Sequence, residues 1–407
     1  MCLLDFWAND GTGIELFRAA ISITRFRFIL QTMRFDDIDT RYERKVMDKL
    51  APIRTFVEDF TSICKSSYCH SNNLTIDEML PSFRGRCPFK IYIPSKPNKY
   101  GIKIVSTVDA KTKYLSNMEI YAGTQPTGPF CVDNSAKEVV KRLLTHVKGS
   151  GRNVTVDNWF TSYPLAQELR QQYKMTLVGT IRKNKREIPA QFVATRGRSQ
   201  FSSIFGHQKD VTLVSYIPKK NKNVTLLSTK HNDAAIDEDT GEQRKPKMIT
   251  FYNKTKGGVD TVDQLCSLYG VERKTRRWPM VIFYTILNIA GVNAYVTFKS
   301  NGGTVNSRRD FIKQLGMSLI EDQLEYRRNL PGLAKEIKRS IEIIRPSPEE
   351  PLQSVVMDAS RVRCSICPRG KDVKTKFRCT KCSKAVCRNH FLVICTECSA
   401  TFEDAGE

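Results

Sequence analysis

The chain is poor in acid. It has 42 Asp and Glu against 65 Lys and Arg in 407 residues, a formal net charge of +23. That deficit implies a polyanionic partner, nucleic acid before an anionic membrane. The N-terminus lacks a basic region followed by an apolar core, so no signal peptide is read there. Long apolar runs are also scarce. The stretch 280–298 has transmembrane length and no charged residue. Asn288 and Asn293 lie within it, Arg277 and Lys299 flank it, and Pro279 suits a first helical turn. It reads as a buried core helix, and no membrane partner is expected. Cysteine is sparse through most of the chain, and seven of the 13 fall between Cys364 and Cys398. Such clustering excludes a disulfide framework and reads as metal binding in a reducing compartment. Hydrophobic residues make up 40%, enough for a globular core.

The periodicity predicts helices over 22–34 and 46–64. A loop through Cys69, His70 and Asn73 leads into 74–81. The stretch 101–109 alternates like a strand and ends on Asp109. A strand over 114–121 returns, and a helix follows over 135–147. Val154, Thr155 and Val156 form a short buried strand that ends on Asp157. A helix over 163–170 follows, with Ser162 available as its cap, then a strand over 175–181. If the strands ending on Asp109 and Asp157 lie side by side, two carboxylates meet at one sheet edge, where ligands and metals gather in open α/β sheets.

Past 186 the sequence turns basic and polar, with two strands over 211–217 and 223–228, and reads as an inserted β-rich subdomain. The sheet is expected to resume at 248–252. Gly257 and Gly258 then break the chain, and a helix places Asp260 and Asp263 on one face. Asp109, Asp157 and Asp260, with Asp263 beside the last, would repel one another unless cations sit between them. A pair of Mg²⁺ or Mn²⁺ ions removes that repulsion and serves in-line attack on phosphorus. The order of elements with acids in these places is that of an RNase H-like nuclease. Arg273, Lys274, Arg276 and Arg277 form a basic run that can contact DNA.

The C-terminal segment carries Cys364, Cys367, Cys379, Cys382, Cys387, His390, Cys395 and Cys398 in four close pairs. Eight such ligands bind two structural Zn²⁺. The gaps suit a cross-brace, in which the first and third pairs share one ion and the second and fourth share the other. The module has few apolar residues, so zinc must fold it. Lys376, Arg378, Lys381, Lys384 and Arg388 make its surface basic and are candidate DNA contacts.

Several stretches also resemble the piggyBac transposase family: Leu74-Thr-Ile-Asp-Glu, Phe83-Arg-Gly-Arg-Cys-Pro, Val156-Asp-Asn-Trp-Phe-Thr-Ser, Thr255-Lys-Gly-Gly-Val-Asp-Thr-Val-Asp-Gln and Arg277-Trp-Pro. The resemblance runs from about Ser22 to Cys398 in the same motif order. It implies that Asp109, Asp157 and Asp260 are the family's catalytic acids of the DDE type, with Asp263 an additional essential one. It implies a helical dimerisation and DNA-binding domain over 1–103 and 270–345. The catalytic domain would span 104–185 and 247–269, the insertion 186–246, the linker 346–362 and the cysteine-rich domain 363–400. The expected partners are a second copy and double-stranded DNA at transposon ends, with insertion at TTAA, in the nucleus. Family members usually carry a long region before the first helix, whereas this chain starts almost on that helix. The alternative expectation is therefore a domesticated DNA-binding protein that no longer transposes.

Overall fold

The computed structural model describes residues 3–94, 96, 98–346, 361–378 and 384–390. The chain divides into two compact units, one of residues 32–318 and one of residues 1–31 with 319–407.

The larger unit is built on one eight-stranded mixed sheet. Its elements run α1 (Arg54–Ser66), β1 (Asn73–Met79), β2 (Ile104–Asp109), β3 (Leu115–Ile120), α2 (Ala136–Leu144), β4 (Asn153–Val156), α3 (Tyr163–Gln172) and β5 (Thr176–Thr180). There follow β6 (Ser203–Gln208), β7 (Val211–Lys219), β8 (Lys222–Ser228), α4 (Lys247–Thr255), α5 (Gly258–Leu268) and α6 (Trp278–Ser300). The strand order is β3-β2-β1-β4-β5-β8-β7-β6. Only β1, β4 and β5 are mutually parallel, and the other pairings are antiparallel. The fold is the large mixed α/β sheet expected.

One face is covered by α2 and α3. Helix α3 starts where expected: Ser162 Oγ accepts from Leu165 N at 3.3 Å, and a proline occupies the first turn. Its Leu165, Ala166 and Leu169 pack with Val154, Val156 and Leu177 of the sheet and with Val140 and Leu143 of α2. Each fully buried aliphatic side chain contributes about 1.5–3 kcal/mol. The other face is covered by α6, whose Ile282, Ile286, Ile289 and Val292 meet Ile104, Val108 and Leu115. Asn293 sits inside that contact. Its Oδ1 accepts from Leu115 N at 2.9 Å, and its Nδ2 donates to Leu115 O at 2.8 Å. The buried amide thus pairs with strand β3 and costs no unsatisfied polar group. Although α6 is long and apolar enough to cross a membrane, it is a core helix of this unit.

Two expectations change. The stretch 248–252 is helical, not a strand. Met248, Ile249, Tyr252 and Thr255 are buried at helical spacing, and the first three join Val178, Val214 and Leu226 in one cluster. A run of five residues, four of them apolar, cannot by itself distinguish the two periods. Second, the strands of the 186–246 segment, β7 and β8, extend the same sheet with β6 at its edge. The stretch 74–81, to which the sequence pattern assigned no element, contributes a central strand, β1.

In the smaller unit Ala19, Leu324 and Ile341 form a small core. Trp7 Nε1 donates to Ile21 O at 2.8 Å. Within 361–390, Val362–Arg363 pairs with Lys374–Thr375. Most of the expected linker lies outside the described residues.

Candidate active site

Strand β1 alternates. Leu74 and Ile76 are fully buried on the α2–α3 side, so Thr75 and Asp77 face the other way. Thr75 Oγ1 donates to Thr255 O at 2.6 Å, at the end of α4. On the neighbouring strand, Thr155 Oγ1 lies 2.8 Å from Thr255 Oγ1. Thr75 pairs with Thr155 and Ile76 with Val156. Continuing that register sets Asp77 beside Asp157, one pleat beyond the two threonines and on the same face. Helix α5 begins three residues after Thr255. Gly258 opens it against Thr75; a Cβ there would stand 2.4 Å from Thr75 Oγ1. This close approach brings Asp260, in the first turn, over the ends of β1 and β4.

The carboxylates interact. One oxygen from each of Asp77, Glu78 and Asp157 lies within 4.8 Å of the others. Burial, then the charges of Glu78, Asp157 and Asp260, push the Asp77 carboxyl up to about 7. Burial and Glu78 also raise Asp157, while Lys103 works against the rise. Asp260 is more open, its side chain 67% exposed, with Lys96 Nζ at 4.0 Å. Burial and Asp260 raise Asp263, against the pull of Lys96. Asp263 lines a cavity with Arg273 and Lys274. An all-oxygen set of carboxylates that resists losing its protons fits a hard divalent cation such as Mg²⁺ or Mn²⁺.

Asp109 does not join this group. The expectation placed it beside Asp157 at one edge, but β1 lies between their strands and β2 runs antiparallel to it. Asp109 therefore pairs with Leu74, three residues down the strand from Asp77, about 10 Å away. It is fully buried. Its carboxylate accepts from Ser71 N at 2.5 Å, Ser71 Oγ at 2.9 Å, Lys111 N at 2.8 Å and Thr112 N at 3.0 Å. Burial raises its pKa, but these bonds together hold it below the usual carboxylate range. Asp109 fastens the turn after β2 to the loop before β1.

Beyond 361, Cys364, Cys367, Cys387 and His390 converge. Cys367 Sγ is 3.6 Å from Cys387 Sγ, and His390 Nδ1 lies 3.7, 3.5 and 3.4 Å from the three sulfurs. A tetrahedron with Zn–S of about 2.3 Å and Zn–N of about 2.0 Å has edges of about 3.5–3.8 Å. The first and third ligand pairs thus come together, as a cross-brace requires. Cys379, Cys382, Cys395, Cys398 and Lys381 lie outside the described residues. Lys376, Lys384 and Arg388 are exposed and Arg378 is half-buried.

A family model described as Transposase IS4 matches residues 2–295. A piggyBac transposase solved in a synaptic complex with hairpin DNA aligns with a TM-score of 0.80 at 39% identity, over 98% of this chain and 84% of that one. The chain belongs to the piggyBac family of transposases. Human piggyBac transposable element-derived protein 3 is 21% identical over 399 residues, 94% of this chain and 64% of that protein. The chain thus spans less than two thirds of that relative.

In this piggyBac-family chain, Asp77 and Glu78 were the acids missing from the expected set. Their signal was present: Leu74-Thr-Ile-Asp alternates and ends on Asp, as the β4 stretch does. The basic run also gains neighbours. Arg276 lines a wide concavity with Lys45, Arg84, Arg86 and Lys90. Arg277 lines another with Arg34 and Arg41, and its Nη2 donates to Met33 O at 2.5 Å.

Proposed function

We propose that the chain is a DDE-type DNA transposase that cleaves and joins DNA strands at transposon ends with Asp77, Asp157 and Asp260. The observation that carries the reading is the convergence of Asp77 and Asp157 below Asp260 at the start of α5. Asp77 and Asp157 would hold Mg²⁺ or Mn²⁺, with Asp260 closing the set from the helix. When bound, such cations supply the polarisation of an oxygen nucleophile for in-line attack on phosphorus. The protein's part is placement. Thr75, Thr155 and Thr255 lock the end of α4, just before α5, to the sheet, and Gly258 allows the close approach of α5. Burial and the neighbouring acids push the Asp77 carboxyl up to about 7, so a cation held there would take the place of its proton. Lys103 tempers the charge on Asp157. Asp263, one turn along α5, lies near enough to feel Asp260 and serves the same centre.

The substrate is double-stranded DNA. The net charge of +23 and the basic concavity around Arg84, Arg86 and Arg276 suit phosphate contacts. The related piggyBac transposase was solved with hairpin DNA. We extend to this chain a preference for TTAA targets, action as a homodimer, a nuclear location and two structural Zn²⁺ in the C-terminal module. The test is strand nicking of DNA that carries transposon ends, in Mg²⁺. Asp77→Asn or Asp157→Asn protein that nicks at the wild-type rate while folded would sink the assignment.

A further inference from the structure

Trp159 stands at the same sheet edge, and the carboxylate chemistry makes no use of it. It follows Asp157 by two residues, and its backbone N–H donates to Asp157 Oδ1 at 2.9 Å. The ring is thereby tied to the acid. It is nevertheless 52% exposed; a tryptophan serving only to pack would be covered. Two cations from opposite flanks lie over it. Arg182 Cζ is 4.6 Å from the ring centre and Lys103 Nζ is 5.4 Å. Arg182 follows β5, the neighbour of β4 on one side. Lys103 precedes Ile104 of β2, which pairs with Met79 at the end of β1 on the other side. Lys103 also acts on the charge of Asp157. Neither cation forms an ion pair among the described residues.

We propose that Trp159, with Lys103 and Arg182, is a nucleobase-stacking subsite that holds one unpaired DNA base beside the cleavage centre. Its place next to chemistry rests on the reading of Asp77, Asp157 and Asp260 given above; its binding does not. A base inside a duplex has both faces covered by its neighbours, so the exposed indole takes a base that has left the stack. Cations over the ring hold its plane and meet the phosphates on either side of that base. Together these groups recognise a base plane and its flanking negative charge, not a base sequence.

The experiment uses the full chain, zinc retained and no other divalent cation added, so that no strand is cut. One probe is a duplex with a single unpaired 2-aminopurine; the other is the same duplex fully paired. Wild-type protein should bind the unpaired probe more tightly and quench its fluorescence. Trp159→Leu, which keeps apolar bulk and loses the π face, should lose about tenfold of that preference and the quench. Its affinity for the paired probe should stay within about twofold. Trp159→Phe should retain most of the preference and the quench, and it carries the same test if the leucine variant fails to fold. Undiminished preference in Trp159→Leu, or an equal loss on both probes, overturns the proposal, as does loss of the quench in folded Trp159→Phe. Nicking by Asp157→Asn at the wild-type rate would instead remove the cleavage reading and leave these affinities in place.

Discussion

Removing a carboxylate should make this protein more stable, and only at one end of the pH range. The carboxyl is Asp77, pushed from an ordinary 3.8 up to about 7 by burial and by Glu78, Asp157 and Asp260. Such a shift opposes folding once the group must ionise. Below pH 3.8 Asp77 is neutral in both folded and unfolded chains and costs nothing. As pH rises, the unfolded chain releases the proton first, and the penalty grows until the folded group also ionises near 7. Above that the full shift applies, about 4 kcal/mol at 1.36 kcal/mol per unit. Because the acids titrate together, part of this belongs to Asp157, so about 2–4 kcal/mol is the expected gain for Asp77→Asn at pH 8. A thermal melt without added divalent cation should show Asp77→Asn melting several degrees above wild type at pH 8 and alongside it near pH 4. Adding Mg²⁺ at pH 8 should raise the wild-type melting temperature and narrow the gap, since the cation binds only the folded acid cluster. The same variant should fail to nick DNA. Equal melting temperatures at pH 8, or a gap independent of pH, would refute the argument that these carboxylates are held against their own repulsion.

The other acids give contrasting outcomes. Asp109→Ala should lose about 3–5 kcal/mol at pH 8, because it strands the N–H groups of Ser71, Lys111 and Thr112; since its folded pKa is lowered, the difference from wild type should shrink in acid, read by the same melts. Gly258→Val would drive a side chain into Thr75, so nicking should fall by about 100-fold or more as Asp260 is displaced, and a melted-out protein would be told apart by circular dichroism. Wild type should carry two zinc ions per chain by metal analysis, and Cys364→Ser should lose one of them. Removing 352–407 should weaken binding to transposon ends and flatten its dependence on salt in titrations, since basic residues leave with it; an unchanged slope would mean the module serves something other than DNA.

The local elements were legible because their signals are local. Ser162 ahead of Pro164 marks the start of α3, and Val139, Val140, Leu143 and Leu144 mark the inward face of α2. The convergence of Cys364, Cys367, Cys387 and His390 was legible for the same reason, since these residues announce themselves by type and spacing. The stretch 248–252 was not, because a short apolar run followed by a glycine pair satisfies either period. There the packing of Tyr252 and Met248 on Val178 and Leu226 chose the helix.

The acid cluster failed at one point, and the reason is topological. Three strand-like stretches end on Asp: 74–77, 104–109 and 154–157. Choosing which two share an edge requires strand direction and neighbour order, and neither is written in any one stretch. Strand β1 runs parallel to β4, so Asp77 and Asp157 share an edge; β2 runs against β1, which sends Asp109 to the far one. What the two aspartates accept then separates their tasks. Among the described residues, Asp109 takes four short hydrogen bonds and has little left to offer a ligand, whereas Asp77 takes one, from Glu78 N at 2.8 Å, and faces other acids. A carboxylate whose lone pairs are spent on the backbone holds a turn together. One left facing other carboxylates, with its proton retained near neutrality, has an unmet demand for positive charge, and that demand is the physical mark of a cation site.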